Sequence, residues 1–263
     1  MKAKSTTNRF WILCGNRFYR ISSIACFVSL LFIVTLTNSC RKSNETPPPP
    51  ETGTLTDNEG NTYKTVKIGN QWWMAEDLKT RIYSDGTYIN QIESDSAQWS
   101  TDTIGAFCNN KDDLGNVIGK LYNNYAVNNT SKLAPAGWHI PNDEEWKVLE
   151  MYLGMSQAEA DKLEWRGTDE GEKIKIQAPL GWAAYGNVWA TNESGFTALA
   201  TGCRLFNGVT GYPGYFSTGF WWSTTTYEGN TTAWYRYLDY KNENVFRSHC
   251  SKNYGFSVRC VKD

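Results

Sequence analysis

Residues 219–240 read GFWWSTTTYEGNTTAWYRYLDY and hold eight aromatic rings in twenty-two positions. The turn residues Glu228-Gly229-Asn230 divide the stretch into two runs of aromatic and β-branched residues, the composition of paired strands. Strand side chains alternate, so Trp234, Arg236, Leu238 and Tyr240 share one face and Ala233, Tyr235, Tyr237 and Asp239 the other. Trp234 and Leu238 are expected in a core. Trp221 and Trp222 are neighbours in a strand, so one is expected to point inward and the other outward. Tyr235, Tyr237 and the outward member of the Trp221-Trp222 pair are the candidates for a surface on which a ligand stacks.

The strand pattern continues on both sides, in GFTALATGCRLF (195–206), NVFRSHC (244–250) and FSVRCV (256–261), with turns at Lys241 to Asn244 and Ser251 to Gly255. Helical signals lie earlier. Asn142 is followed three residues on by Glu145, the spacing of a capping box, with Asp143 and Glu144 favourably placed on the positive helix end. Trp146, Leu149 and Leu153 then recur at helical spacing, and Gly154 closes the element. A second helix is predicted from Ser156, carrying Ala160 and Leu163 inward. Nearer the N-terminus, NTYKTVKIGNQWWMAEDL (61–78) reads as a hairpin turning at Gly69-Asn70, and 80–132 as loops with short elements. The predicted class is α+β, a twisted antiparallel sheet with two helices on one side.

The N-terminus carries Lys2, Lys4, Arg9, Arg17 and Arg20 with no acid, then an apolar, uncharged run of 16 residues from Ile21 to Leu36. This order is that of a secretory signal, and the run is short for a spanning helix of about 20 residues. Ser39-Cys40 is similar to a bacterial lipobox, with Thr37 replacing the usual aliphatic residue and Leu36 one place earlier; an uncleaved anchor is the alternative. The chain thus divides into a lipoprotein signal (1–39) with Cys40 as lipid attachment residue, a tether (40–53) containing Pro47 to Pro50, and one domain (54–263). Export and attachment to the bacterial outer membrane are expected. Loss of the signal takes 26 basic residues to 21 against 27 acidic ones, a net charge near minus six that argues against nucleic acid.

Signals for chemistry are sparse. The domain has two histidines, His139 before the helix and His249 beside Cys250. His139 reads as structural, and a Cys250-His249 nucleophilic pair is disfavoured where the thiol is oxidised. Asp112 and Asp113 sit in a Gly-containing, solvated turn. No C-x-x-C pair and no phosphate-binding glycine loop is present, so no catalytic residue, metal or cofactor is assigned. Cys108, Cys203, Cys250 and Cys260 lie in the exported part, and four such thiols are expected to form two disulfides, with three connectivities open.

Seven segments, YKTVKIGNQWWMAEDLKT, GKLYNNYAV, APAGWHIPNDEEWKVLEMYLG, NESGFTALATGCR, WWSTT, AWYRYLDY and YGFSVRCVKD, resemble in order and spacing the Fibrobacter succinogenes major paralogous domain. The resemblance covers nearly all of 54–263. It implies an exported, often lipid-anchored protein typical of Bacteroidetes and Fibrobacteres, with no established activity to carry over. The pattern is also distantly similar to C-type lectin-like and formylglycine-generating-enzyme folds, whose chains end on a central strand with a G-F-x-x-R sequence, matched here by Gly255, Phe256 and Arg259. This chain lacks the lectins' calcium-binding tripeptides and the enzymes' paired active-site cysteines. The family commonly places a Cys before P-x-G-W where Ala134 stands here, whereas Cys203 and Cys250 replace aromatic or small residues. The resemblance therefore implies a Cys203–Cys250 bond, and a Cys108–Cys260 bond from the remaining pair. It implies a non-catalytic binding or adhesion module for a glycan or cell-surface ligand; the alternative is a structural or assembly lipoprotein whose aromatics only fill the core.

Overall fold

The computed structural model describes residues 11–14, 17–20, 49–111, 116–177, 181–186, 188–212 and 217–263. The chain divides into two compact units, Met1–Pro48 and Pro49–Asp263. In the first, β1 (Trp11–Cys14) and β2 (Arg17–Arg20) form an antiparallel hairpin with Trp11 opposite Arg20. The apolar run from Ile21, Cys40, Asp112 and Asp113 lie outside the described residues. Among the described residues no helix is long and apolar enough to cross a membrane.

The second unit is α+β and largely antiparallel. Its first strands are β3 (Thr52–Thr56), β4 (Thr62–Ile68) and β5 (Gln71–Met74), and Gly69, at φ +61°, turns β4 into β5 as its sequence predicts. β6 (Asn90–Gln91) pairs in parallel with β7 (Ala106–Lys111), which pairs antiparallel with β8 (Val117–Tyr122). The short helix α1 (Ser96–Thr101) lies between β6 and β7 in the chain, and α2 (Asn124–Val127) follows β8.

The helix predicted from Asn142 is α3 (Asp143–Tyr152). It follows β9 (Trp138–His139) and carries the full capping box, with Asn142 accepting from the Glu145 amide and Glu145 from the Asn142 amide. The second helix is shorter than predicted: α4 spans Gln157–Ala160, and Leu163 is 51% exposed rather than inward. After this single turn the chain leaves helical geometry, passes Glu164 at φ +63° and forms β10 (Glu164–Arg166), so Leu163 sits at a helix-to-strand junction. α5 (Glu170–Ile174) follows, then β11 (Cys203–Arg204), paired with β12 (Thr210–Tyr212).

The opening stretch forms β13 (Thr218–Tyr227) and β14 (Thr232–Asp239), joined through Glu228, Gly229 and Asn230, all at positive φ. β15 (Val245–Ser251) completes an antiparallel sheet of order β10-β15-β14-β13. The C-terminal residues then thread the centre. Phe256 bridges to Tyr122, Ser257 to Trp221, and β16 (Val261–Lys262) lies between β5 and β9 in the sheet β3-β4-β5-β16-β9. Arg259 is buried here, donating to Asp77 and to the carbonyls of Met74, Phe196 and Thr197. Its charge is thus neutralised and its remaining donors satisfied.

The four-stranded sheet separates two hydrophobic clusters. Trp221 packs into one with Trp73, Trp146, Phe196 and Leu238; Trp222 packs into the other with Phe107, Tyr122, Phe256 and Val258. Both are buried, at 1% and 0% exposure, so neither is the outward ring that alternation alone requires. They do point to opposite faces, but α3 covers one face and the C-terminal segment the other. Trp222 donates from Nε1 to the Tyr122 carbonyl at 2.8 Å, and Trp221 to Asp77 at 3.0 Å. At ~25 cal/mol per Å2 over roughly 150–250 Å2, each such ring contributes on the order of 4 to 6 kcal/mol as an upper estimate.

Neither predicted disulfide is formed, because Cys108, Cys250 and Cys260 carry free thiols. Cys108 belongs to a small cluster with Ile92, Trp99, Ala106 and Leu121, whereas Cys260 lies in the larger one with Phe256 and Val258. Different layers of the core therefore hold the two. Cys203 and Cys250 border the same cluster, as their strands suggest, and Cys250 remains a thiol there. Burial pushes the thiol of Cys108 up to about 11 and those of Cys250 and Cys260 well above the usual range.

Candidate functional site

Strand register places one aromatic residue from each strand of the four-stranded sheet in a single line. Phe220 on β13 is opposite Tyr237 on β14, Tyr237 is opposite Phe246 on β15, and Phe246 is opposite Trp165 on β10. All four side chains are half-buried, so the line is a surface feature as well as a packed one. The rings touch in sequence: Phe220 stacks on Tyr237 at 4.6 Å between centroids and 20°, Tyr237 meets Phe246 edge-on at 5.6 Å, and Phe246 meets Trp165 edge-on at 5.2 Å. Such offset and edge-to-face geometries are the favoured ones and fix the rings against one another.

Tyr235 lies one row further along the same face, half-buried, 5.2 Å from Phe256 and 6.3 Å from Phe246. Beyond it the face is closed by Phe256 and Tyr122 over Trp222. Of the four residues that the sequence nominates for stacking, Tyr235 and Tyr237 therefore belong to an accessible surface, and Trp221 and Trp222 do not. Trp165, Phe220 and Phe246 are the members that alternation within one strand does not find. Counting back from the turn at Lys241 to Asn244 does set Phe246 beside Tyr237, but counting back from Glu228 to Asn230 sets Trp222 there, and only the register shift between Trp222 and Thr226 brings Phe220 opposite Tyr237.

The row has a polar margin. Tyr237 donates its hydroxyl to the Asp239 carboxylate at 2.8 Å, and Ser248 stands opposite Tyr235 on β15. Burial, with the Asp239 bond and charge, pushes the Tyr237 phenol well up, so it stays a neutral donor. Burial and nearby Cys250 do the same for Tyr235.

The opposite face of the sheet is charged and closed. Arg236 and Arg247 sit opposite each other on β14 and β15. Asp143 of α3 lies between them, accepting from Arg236 Nη1 at 2.7 Å and from Arg247 Nη2 at 2.6 Å. Glu150, one helical face further on, accepts from Arg236 Nε at 2.6 Å and from Arg166 Nη2 at 2.8 Å. Burial pushes the Asp143 carboxyl up, but the two guanidiniums outweigh it and hold it well below the carboxylate range.

The histidines carry no paired nucleophile. His249 stacks on Tyr227 at 3.9 Å on the charged face, while Cys250, the next residue along the strand, faces the aromatic side near Tyr235. His139 is clamped by two carboxylates, Nδ1 2.6 Å from Asp263 and Nε2 2.6 Å from Glu145. Among the described residues no three His, Cys, Asp or Glu are grouped so as to hold a metal ion.

The second unit is thus an α+β domain whose four-stranded antiparallel sheet is backed by ion pairs on one face and carries a row of rings on the other. The Fibrobacter succinogenes major domain matches residues 66–262, and the chain belongs to that family. No curated protein and no solved structure matches the chain.

Proposed function

We propose that the protein is an exported, lipid-anchored binding or adhesion module that takes a glycan on the aromatic row, without catalysis and without a cofactor. The observation that carries this reading is the alignment of Trp165, Phe246, Tyr237 and Phe220 across four strands, half-buried and edged by Tyr237, Asp239 and Ser248. Rings offer apolar faces to the C–H faces of a sugar, and the polar margin offers hydrogen bonds to its hydroxyls, the combination typical of small-ligand sites. In this reading 1–39 is the signal, Cys40 bears the lipid, 40–53 is the tether and 54–263 is the binding domain at the outer membrane. A C-type lectin-like relationship is part of the proposal, supported by the helix preceding the sheet and by the Gly255-Phe256 to Arg259 ending on a central segment.

The alternative is a structural or assembly lipoprotein without a small-molecule ligand. The burial of Trp221 and Trp222 and the mutual packing of the row favour it. A glycan array on the intact chain separates the two. Binding that is lost in Tyr237→Ala and Trp165→Ala, with an unchanged circular dichroism spectrum, supports the module. A folded wild-type chain that binds no glycan overturns it in favour of the scaffold.

A further inference from the structure

A second surface, sharing no residue with the aromatic row, carries a different chemistry. A cleft of about 440 Å3 opens between the β7-β8 hairpin and the segment around Lys79 to Arg81. Its volume lies within the roughly 300–1,000 Å3 of small-molecule sites, but polar rather than apolar groups line it. Three cations, Lys79, Arg81 and Lys120, face it against one carboxylate, Glu59. Glu59 is already engaged by Arg81 Nε at 2.8 Å and by the Thr80 hydroxyl at 3.2 Å.

Lys120 is the unusual member. It is 9% exposed, and its ammonium, which has three donors, meets one acceptor, Asn109 Oδ1 at 3.0 Å, while lying 4.8 Å over the Phe107 ring. Among the described residues no carboxylate forms an ion pair with it. Arg166, Arg236, Arg247 and Arg259, buried elsewhere, each have one. Lys175 and Arg204, which have none, are held instead by backbone carbonyls, and Lys252, which also has none, is held by Asn230 Oδ1 over the Tyr125 ring, so Lys120 is set apart by lining a cleft. Burial, reinforced by the charge of Arg81, pulls the Lys120 ammonium below its ordinary range, and the more distant charges of Glu59 and Glu93 offset this only in part.

The amides of the cleft narrow the ligand further. Asn61 and Gln91 each use one N–H, on Asp57 and Glu93, and keep a carbonyl oxygen as acceptor beside a second N–H, while Asn109 uses its carbonyl on Lys120 and keeps its NH2. A bare sulfate dianion has no O–H to offer those two acceptors. A hydroxylated carboxylate offers both a negative group and donors.

We propose that this cleft binds a small sugar acid of the uronic-acid kind, its carboxylate on Lys120, Lys79 and the outer nitrogens of Arg81, and its hydroxyls on Asn61, Gln91 and Asn109. The test is calorimetric titration of the full chain carrying Trp165→Ala and Tyr237→Ala, which removes the aromatic row, with galacturonate, galactose and sodium sulfate. Galacturonate is expected to bind, galactose not to bind, and sulfate to bind at least tenfold more weakly than galacturonate. Lys120→Met is expected to weaken galacturonate about tenfold or more, as loss of a charge-assisted hydrogen bond does. Lys79→Gln, at an exposed position that leaves the core untouched, is expected to weaken it severalfold and to flatten its salt dependence, which keeps the test valid if Lys120→Met does not fold. Equal affinity for sulfate and galacturonate, binding of galactose, no binding of galacturonate, or binding indifferent to Lys79→Gln overturns the proposal. Because the cleft and the aromatic row share no residue, failure here leaves the glycan reading of the row standing, and the reverse also holds.

Discussion

Replacing Glu150 by glutamine removes one negative charge from a chain of five buried groups, Arg247, Asp143, Arg236, Glu150 and Arg166, that ties α3 to three strands of the sheet. Glu150 is 1% exposed and provides the sole carboxylate within ion-pair distance of Arg166 among the described residues, while Arg166 Nε already has no partner. Breaking a buried pair on one side costs about 3–5 kcal/mol, and a glutamine that still accepts one hydrogen bond places Glu150→Gln near 3 kcal/mol. For a domain of this size that is a fall in melting temperature of about 6–12 °C. Urea and thermal unfolding followed by circular dichroism measure it, with Glu51→Gln at the exposed Lys67 pair as the control that leaves the midpoint in place. Adding Arg166→Met removes the orphaned charge and is expected to restore part of the loss. A Glu150→Gln domain within about 1 kcal/mol of wild type, or a double variant less stable than the single, refutes the reasoning.

Three further outcomes follow from other parts of the fold. Gly171 packs directly on the carbonyl oxygens of Glu243 and Asn244, which a methyl group displaces, so Gly171→Ala is expected to destabilise by about 1–3 kcal/mol in urea unfolding. For His139, burial lowers the pKa, but the bonds to Glu145 and Asp263 more than offset it and the folded value is raised. The stability it adds is therefore full below the unfolded value of about 6.5 and disappears as pH rises through the folded one, so the advantage of wild type over His139→Gln in thermal unfolding is expected to shrink as pH rises above about 6.5. Cys108 and Cys260, with buried thiols raised by desolvation, are expected to alkylate only upon unfolding, and a Cys108–Cys260 linked peptide in mass spectrometry contradicts the packing.

Much of the frame was legible in the residues. Gly69 and Glu228 to Asn230 mark two hairpins because few other sequences adopt positive φ cheaply, and Asn142 with Glu145 marks α3 because the cap is a local device. The faces of β14 also follow from alternation, with Trp234, Arg236 and Leu238 all buried. What covers a face is a long-range fact. Trp222 is buried because residues 255–258, more than thirty positions later, lie across it, and no pattern within β13 encodes that. By position Asp143 is a helix-dipole residue, yet its larger task is to neutralise Arg236 and Arg247, about a hundred residues away. The short α4 reflects a similar competition: the capping signal at Ser156 is real and used, but pairing of β10 with β15 ends the helix after one turn.

The two faces of the four-stranded sheet depend on each other through register. Arg236 and Arg247 are directly opposite across β14 and β15, an arrangement of like charges that is destabilising in itself. It persists because Asp143 accepts from both, so α3 selects the one pairing in which the two guanidiniums converge on it. The same pairing sets Tyr237 beside Phe246, and Arg166, through Glu150, holds β10 where Trp165 extends the line. A slip of one residue in β10, β14 or β15 would turn its ring to the charged side and bring a charge to the aromatic one. The buried ion pairs thus contribute specificity more than net stability: they fix which rings reach the surface, and an aromatic row assembled from one residue per strand exists only in that register.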